Sequence, residues 1–404
     1  MNKYNVPRGT GDLSGVEMKK FRRAFDVFRK TVILYDFEEI KTPIFEETAL
    51  FERSLGGGTD VVSKQMYTFE DKSGRSLTLR PEGTAGLVRA AISGNLLREL
   101  PARFWYCGPM FRYEKPQKDR RRQFYQLGAE IFGEAGCAAD AEVIEICNDF
   151  FNRLGIEYSL KINSIGCPEC RGRYEDALKK YLADVLDELC GDCRERYIKN
   201  PLRVLDCKID RGKDVIKKAP NFESFLCEKC GGDFEGVKNI LKERGISFEI
   251  DSRLVRGLDY YTGCVFEFYT SAARDAIAAG GRYDGLVKFL GGADVAAAGV
   301  AIGLDRISSS IKIDESREGY LITGVGVSGG ELERLARLIR EAGFLCRVSS
   351  KQKLKKALAE ASSGNFKYAV IVGEDELKND SVSVKDLGSG EQKTFAKEEF
   401  IKKL

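Results

Sequence analysis

The stretch "ARFWYCGPMFRYEKPQKDRRRQFYQLGAEIFG", residues 102–133, decides the fold. It contains two runs of apolar and aromatic residues separated by a mostly charged loop, and short alternating runs broken by turns are typical of antiparallel strands. Runs of the same kind lie at residues 37–46, 66–84 and 255–268. The sequence therefore predicts an antiparallel sheet in this part of the chain.

Two amphipathic helices accompany these strands. The residues that recur at helical spacing in the first helix are Phe21, Phe25, Phe28 and Val32. Ser14 lies three residues before Glu17, which is the spacing of a capping box at the start of this helix. A second helix is predicted from about residue 140, with Gly155 as its C-terminal stop.

The character of the sequence changes twice along the chain. Residues 165–250 are rich in predicted helix and charge, and they contain all three CxxC pairs, which suggests an insertion. From about residue 317 strands alternate with helices, a pattern that favours a small α/β domain with a largely parallel sheet. The predicted segments are the core, first part, 1–164; the insertion, 165–250; the core, second part, 251–316; and the C-terminal domain, 317–404.

Composition excludes several kinds of chemistry. The chain of 404 residues has no histidine, which rules out Ser/His/Asp triads, HExxH metal sites and any imidazole general base. Its net charge is only +3, so a polyanionic partner must be met by local basic patches. No stretch approaches the roughly 18 apolar residues of a membrane span, and no apolar secretion signal is recognisable at the N-terminus. We expect a cytoplasmic protein without a membrane partner.

The twelve cysteines point to thiols or thiolate ligands rather than to disulfides. Two CxxC pairs are nineteen residues apart, a spacing compatible with a structural Zn²⁺ site, and its predicted ligands are Cys167, Cys170, Cys190 and Cys193. The pair Cys227 and Cys230 competes for the same role. The alternative is that these thiols are buried and pack as small hydrophobic side chains.

Four further clusters carry polar residues beside turns or glycines. "LRPEGTAG" covers residues 79–86, and the basic loop after Arg112 leads back into a strand on which Gln126 and Glu130 share one face. "AAGGRYDGLV" covers residues 278–287, and "GVAIGLDRI" places Arg306 shortly after glycines that allow close backbone approach. Each cluster alone has a structural explanation, as a turn, a solvated loop tip or a tight packing position.

Taken in order, these clusters resemble the histidyl-tRNA synthetases, a family of class II aminoacyl-tRNA synthetases, over essentially the whole chain. The motifs that carry the resemblance are "RGTGD", "IKTPIFE", "RPEGT", "FRYEKPQ", "QFYQLGAE", "VRGLDYYTGCVFEF", "AGGRYDG" and "GLDR". The resemblance implies an α/β protein with an α+β catalytic core, in which helices flank a class II antiparallel sheet. It also implies a helical insertion and a C-terminal α/β anticodon-binding domain.

The resemblance further implies a reaction. The family joins L-histidine to ATP, with Mg²⁺, to form histidyl-adenylate, and it then transfers the aminoacyl group to the 3′ end of histidine tRNA. Pro43 belongs to the motif that forms the dimer interface in this family, so a homodimer is expected. Guanidinium groups suit the first step, because they offer bidentate donors of permanent charge to two anionic reactants.

The roles of single residues also follow from the resemblance. The expected catalytic residues are Arg256 and Arg112, and the expected ATP contacts are Arg112, Arg120 and Arg306. Contacts to the histidine substrate are expected from Glu82, Thr84, Gln126, Glu130, Tyr260 and Tyr261. Glu130 and Tyr261 address the imidazole ring, whereas Tyr260 is either a wall or a contact. Without the resemblance, strand packing explains both tyrosines.

A second functional class resembles the family without catalysis. The regulatory subunit of ATP phosphoribosyltransferase and histidine-sensing domains bind histidine or tRNA but do not charge it. Retention of Arg112, Arg256 and Arg306 favours the enzyme, because a sensor has no need to clamp a triphosphate. Expected tRNA contacts are Arg120–Arg122 and the lysine-rich residues 351–361, for which a solvated helix face is the alternative.

Overall fold

The computed structural model describes residues 4–56, 59–115, 120–271, 273, 275–313, 317–351 and 353–404. The chain divides into two compact units, Met1–Lys312 and Ile313–Leu404. Within the described ranges, no helix has both the length and the apolar character that a membrane crossing requires. The finer division of residues 1–316 into core and insertion stays a prediction.

A large sheet is the centre of the first unit. The strands described there are β1 (Glu38–Glu39), β2 (Phe45–Glu47), β3 (Tyr67–Glu70), β4 (Ser76–Leu79), β5 (Ala102–Phe111), β6 (Gln123–Phe132), β7 (Ser159–Ser164), β8 (Glu249–Ile250), β9 (Thr262–Tyr269), β10 (Ala278–Arg282) and β11 (Ala297–Gly303). Eight of these described strands form one sheet in the order β1-β5-β6-β11-β10-β9-β7-β8. Its six inner strands are antiparallel, and the two-residue edge strands are parallel to their neighbours. The predicted antiparallel sheet is confirmed for residues 102–133 and 255–268, whereas residues 66–84 supply β3 and β4 to a separate small antiparallel sheet.

The first unit is completed by helices and by a small sheet of order β2-β4-β3. The α-helices described there are α1 (Gly15–Leu34), α2 (Thr48–Leu55), α3 (Thr84–Ser93), α4 (Cys137–Leu154), α5 (Pro168–Ala183), α6 (Gly191–Lys199), α7 (Leu202–Leu205), α8 (Asp214–Lys217), α9 (Glu228–Glu243), α10 (Leu286–Phe289) and α11 (Leu304–Ser310). Val61–Gln65 form a π-helix, and Leu186–Glu188 and Phe222–Phe225 form 3₁₀ turns.

The two predicted helices correspond to α1 and α4. Helix α1 buries Phe28 and Val32, and α4 ends at Gly155 in the left-handed conformation, with φ of 68°. The predicted capping box is wrong in one respect: Ser14 occupies the N-cap position, but its side chain makes no capping hydrogen bond.

Helices α5 to α9, which lie in the predicted insertion, share a hydrophobic cluster with residues of the large sheet. Tyr174 and Leu178 of α5 share one hydrophobic cluster with Tyr261, which directly precedes β9, and with Val265 of β9. The stretch 255–268 therefore contributes to a core that it shares with helix α5.

The second unit contains a mixed sheet. Its described strands are β12 (Arg317–Gly324), β13 (Leu345–Val348), β14 (Phe366–Val372), β15 (Ser381–Asp386) and β16 (Gln392–Ala396), and its helices are α12 (Gly329–Glu341), α13 (Leu354–Ser363), α14 (Glu374–Lys378) and α15 (Lys397–Lys402). The order is β13-β12-β14-β15-β16, with β12 parallel to β13 and β14. The last two pairings are antiparallel, so the expectation of a largely parallel sheet is wrong there. The connection from β14 to β15 is too short for a parallel crossover.

Candidate active site

Strand β6 presents two of the predicted site residues on one face. Glu130 lies opposite Gly299 of β11, and Gln126 lies opposite Gly303. A Cβ atom on Gly299 would overlap the carboxylate of Glu130. The glycine therefore makes room for the acid, which explains why "GVAIG" has no side chain at this point.

Glu130 is held by two hydroxyl groups. Thr84 donates a hydrogen bond of 2.7 Å to Oε1, and Tyr283 donates one of 2.6 Å to Oε2. The residue is only 1% exposed. Burial raises the pKa of Glu130 to about 8, although the bonds from Tyr283 and Thr84 lower it. Each carboxylate oxygen has acceptor capacity left for a further N–H donor.

Glu82 lies beside this network at the start of helix α3. Its carboxylate accepts the backbone N–H groups of Thr84 and Ala85, both at 2.7 Å. Burial raises the pKa of Glu82, and the two backbone bonds lower it. Through Thr84, the structure brings the predicted residues Glu82 and Glu130 into one buried group.

The side-chain oxygen of Gln126 is a hydrogen-bond acceptor that no described donor contacts. Its Oε1 atom is buried and has no hydrogen-bond partner within the described residues. Because a buried polar atom without a partner is costly, this oxygen has unused capacity to accept a hydrogen bond.

Three tyrosines line the same group. The ring centroids of Tyr260 and Tyr261 are 4.6 Å apart, and the ring of Tyr283 lies 5.6 Å from Tyr260 and 6.4 Å from Tyr261. Because Tyr283 bonds Glu130, its ring connects the two predicted tyrosines to the predicted ring-binding acid.

Arg256 lies against this tyrosine group and is anchored by an acid. Its guanidinium carbon is 5.5 Å from the ring centroid of Tyr261, and Nη1 pairs with Glu267, which also accepts the hydroxyl of Tyr269. The side chain is 15% exposed, and Nε has no hydrogen-bond partner among the described residues. Burial lowers the pKa of Arg256, but Glu267 and the tyrosines raise it above its usual value. The charge is permanent, and one donor faces the interior unpaired.

Arg112 follows strand β5 and contacts the segment that carries Glu82. Its Nε donates to the carbonyl of Pro81 at 2.9 Å, and its guanidinium is 5.5 Å from the ring of Phe124. Burial lowers the pKa of Arg112, whereas the charges of Glu114 and Glu82 raise it. The bond to Pro81, which precedes Glu82 in the chain, fixes Arg112 near this carboxylate.

Arg120 and Arg306 are brought together by one aspartate. Arg120 Nε donates to Asp275 at 2.8 Å, and Arg306 Nη2 lies 3.7 Å from the same carboxylate oxygen. Arg306 also donates to the carbonyl of Ala276. The part of the basic loop at 116–119 lies outside the described residues.

Three residues at this site carried no predicted role. They are Tyr283, Glu267 and Asp275. Tyr283 lies within "AGGRYDG", and Glu267 is the single acid in the apolar run "VFEF", so a signal existed for both. Asp275 follows strand β9 in a turn region and gave no comparable signal.

The predicted set of four zinc ligands is not brought together. Cys167 and Cys170 cluster instead with Cys227 and Cys230, whereas Cys190 and Cys193 cluster with Cys207 and Asp210. The predicted set of four ligands is therefore wrong. The starts of helices α5 and α9 lie side by side, and Cys190 comes only after the far end of α5.

Comparison with known proteins gives the family. The family model described as histidyl-tRNA synthetase matches residues 9–307, and that of the anticodon binding domain matches residues 324–404. The histidine–tRNA ligase of Aquifex aeolicus is 46% identical over 397 residues, which cover 97% of this chain and 98% of that protein.

Solved structures agree. The apo histidyl-tRNA synthetase of S. aureus is 32% identical, with a TM-score of 0.80 over 99% of both chains. A structure from Bacillus halodurans, titled an ATP phosphoribosyltransferase regulatory subunit/histidyl-tRNA synthetase, has a TM-score of 0.69 over 92% of this chain and 98% of that one. At 21% identity this second likeness concerns the fold alone. The chain therefore belongs to the histidyl-tRNA synthetase family and is an enzyme of the aminoacyl-tRNA synthetase class.

Proposed function

We propose that the first unit joins L-histidine to ATP as histidyl-adenylate and transfers the aminoacyl group to the 3′ end of histidine tRNA. One observation carries the proposal: Arg256, anchored by Glu267, lies against the tyrosines that adjoin the buried pair Glu82 and Glu130. A fixed cation next to fixed acceptors suits a substrate with a carboxylate at one end and N–H donors at the other.

Glu130 is the proposed acceptor for the imidazole ring. Its oxygens are oriented by Thr84 and Tyr283, so a ring N–H finds an acceptor that is already in place. Tyr261 is the second proposed ring contact, and Tyr260 the adjoining wall. An amino acid without the ring nitrogens would leave buried polar groups unpaired, which is the strongest form of discrimination that a site can have.

The α-amino group is proposed to bind Glu82, Thr84 and Gln126. The unpaired Oε1 of Gln126 supports this assignment, since an ammonium group supplies the donor that it lacks. Glu82 adds negative charge opposite the ammonium group.

The arginines are proposed to hold the anions in reacting positions. Arg256 and Arg112 are placed at the α-phosphate and the attacking carboxylate, where they stabilise the charge that develops as the new P–O bond forms and pyrophosphate leaves. Arg120 and Arg306 are assigned to the rest of the nucleotide, and their shared contact with Asp275 supports a common site.

Mg²⁺ is proposed to accompany the triphosphate. The carboxylates nearest to the predicted triphosphate contacts are Glu114 and Asp275, both paired with Arg120. These oxygen donors fit a hard cation that keeps phosphate oxygens in its shell, and they would hold Mg²⁺ together with ATP. The ion supplies charge neutralisation when bound.

Contacts to tRNA are proposed on both units. Arg120–Arg122 belong to the first unit, and in the second unit the exposed residues Lys355 and Lys356 lie on helix α13. Residue 352 of this basic stretch is outside the described part of the chain. Exposed cations are what a phosphate backbone requires.

A homodimer is proposed through the region of Pro43. Next to it Ile44 and Phe45 are exposed, and Phe45 stacks edge-on against the exposed ring of Phe69 at 6.3 Å. Exposed apolar groups of this kind favour a partner subunit. A cytoplasmic location is proposed with it, and the twelve unbridged cysteines support a reducing compartment.

The test is histidine-dependent exchange between ATP and pyrophosphate, followed by charging of histidine tRNA. We expect both activities with histidine and neither with other amino acids. Binding of histidine or tRNA without exchange would favour the regulatory-subunit alternative and contradict the proposal.

A further inference from the structure

The inserted helices contain two separate groups of ligating side chains. The tetrathiolate cluster consists of Cys167, Cys170, Cys227 and Cys230, and the mixed cluster consists of Cys190, Cys193, Cys207 and Asp210. In each cluster the ligand atoms all lie within 4.8 Å of one another. Neither takes part in the proposed chemistry.

The sulfur positions in the tetrathiolate cluster match metal coordination. Sγ of Cys167 and Sγ of Cys170 are 3.5 Å apart, and both cysteines are unbridged. A tetrahedral Zn²⁺ with bonds of about 2.3 Å places its sulfur ligands about 3.8 Å apart. Thiols that only filled space would be spread through the core, whereas these four converge on one point.

The backbone around this cluster supports ligation. Cys167 and Cys227 are the N-cap residues of α5 and α9, so both CxxC pairs lie at positive helix ends. The N–H of Cys227 donates to Sγ of Cys170 at 3.0 Å, which is the kind of bond that orients a metal-bound sulfur. Gly166, with φ of 57°, lets the chain approach Cys170 closely.

The mixed cluster is supported by different contacts. Sγ of Cys190 lies 3.7 Å from Sγ of Cys207, and the N–H of Cys190 donates to Asp210 at 2.9 Å. Asp210 is fully buried, and Nζ of Lys213 lies 2.8 Å from its carboxylate. A buried carboxylate among three sulfurs suits a divalent cation, because thiolate and carboxylate are both zinc ligands.

We propose that the insertion binds two zinc-class divalent ions, one in the tetrathiolate cluster and one in the mixed cluster. The tetrathiolate ion joins the start of α5, which follows β7, to the start of α9, which leads back to β8. The mixed ion joins α6 to the segment that carries Cys207 and Asp210. Such links stabilise a segment in which the short helices α6, α7 and α8 lie between the longer helices α5 and α9.

The tetrathiolate ion also supports the segment that contains Arg256 and Tyr261. Gly166, next to Cys167, accepts the N–H of Gly263 at 2.9 Å, and Arg171 of α5 donates to the carbonyl of Asp259 at 3.1 Å. Loss of this ion should therefore loosen residues 256–263. Its effect on histidine binding rests on the proposed function, whereas the presence of the metal does not.

The first experiment is elemental analysis of protein purified under reducing conditions without a chelator or a metal-affinity tag. We expect about two equivalents of zinc. The variants Cys230→Ser and Cys193→Ser should each retain about one, because each removes one ligand from one cluster. Cys346→Ser, whose thiol lies in β13 of the second unit, is the matched control and should retain both.

The assignment is overturned by a wild-type content below about a tenth of an equivalent. The assignment of one cluster is overturned if the serine variant of that cluster keeps the metal content of the wild type. Iron in place of zinc would refute the assignment of a zinc-class ion. If a serine variant fails to fold, the test is done on the wild type, from which the metal is first removed with a chelator. Addition of Co²⁺ should then produce intense thiolate-to-cobalt absorption, and addition of Mg²⁺ should produce none. A cobalt protein without that absorption contradicts thiolate ligation.

Discussion

Arg256 carries its charge in a fixed place because Glu267 holds the guanidinium and the ring of Tyr261 lies beside it. A cation that is positioned before the reaction stabilises a developing negative charge without the cost of reorienting itself. Nε remains without a partner among the described residues, so the guanidinium has a donor to spare.

Replacing Arg256 should therefore slow the formation of histidyl-adenylate strongly without unfolding the protein. We expect Arg256→Ala and Arg256→Lys each to lose about 10²–10³-fold in the rate of pyrophosphate exchange, because lysine lacks the planar fork. Circular dichroism and thermal melting check the fold. Near-normal exchange in either variant would remove Arg256 from the catalytic role.

Glu267 is expected to act through Arg256 as a positioning residue. Glu267→Gln keeps the shape but removes the charge, so kcat for exchange should fall by up to about 10²-fold while the KM for ATP changes little. Glu267→Asp should recover part of the loss, and Glu38→Gln, an exposed glutamate of β1, is the control. A change confined to stability, with kcat preserved, would contradict the assignment.

Glu130 should make stability depend on pH. Its pKa is about 8 in the folded protein against an ordinary 4.5, so the native state binds the proton more tightly than the unfolded chain does. This contribution is complete below pH 4.5 and is lost as pH rises through 8. Melting temperatures of the wild type and Glu130→Gln across this range test it. The wild type should lose stability relative to the variant as pH rises, and a constant difference would refute the shift.

At the scale of elements, the pairing of β6 with β11 builds the site. Because side chains alternate along a strand, the sequence was enough to predict that Gln126 and Glu130 share a face. The role of Gly299 was not predictable, because it depends on which strand becomes the neighbour of β6.

Gly299→Ala is accordingly expected to displace Glu130. Its Cβ would lie 1.5 Å from Oε2 of Glu130, so we expect a loss of stability of about 1–3 kcal/mol together with weaker histidine binding. Gly285→Ala is the control, because a Cβ there meets no atom within 4 Å. Chemical denaturation and the KM for histidine measure the two effects. Equal behaviour of both variants would show that the glycine is not needed.

The cysteines show where reasoning from sequence reached its limit. Spacing along the chain singled out the CxxC pairs, but which pairs come together depends on how the helices pack. Helices α5 and α9 are far apart in sequence and adjacent at their first turns, a relation that no local pattern contains. The antiparallel strands β15 and β16 were missed for a similar reason, since alternating strands and helices do not report strand direction.

At the scale of the whole molecule, the two units have different tasks in the proposed reaction. Activation requires only small substrates, whereas charging requires tRNA. Binding of this polyanion releases counterions from its phosphates, and added salt makes that release less favourable. We expect added salt to reduce charging steeply and pyrophosphate exchange much less. Parallel loss of both activities would contradict the division of tasks.

Helix α13 allows a sharper form of this prediction. The double variant Lys355→Ala/Lys356→Ala should raise the KM for tRNA about tenfold and leave exchange unchanged. Lys402→Ala/Lys403→Ala, on α15 and its C-terminal end, is the matched control. An unchanged KM for tRNA in the first variant would mean that this helix face is only solvated.

Arg256 and Glu267 are eleven residues apart in one continuous segment, whereas Glu130 is tied to Thr84 and Tyr283, which lie far from it along the chain. The two arrangements differ in how they survive recombination between related genes. A crossover outside this segment leaves Arg256 and Glu267 together from one parent. Glu130 and its two hydroxyl partners instead come from three distant parts of the chain. In a chimaera these parts can derive from different parents, so the contacts of Glu130 are more easily disrupted than the pair of Arg256 and Glu267.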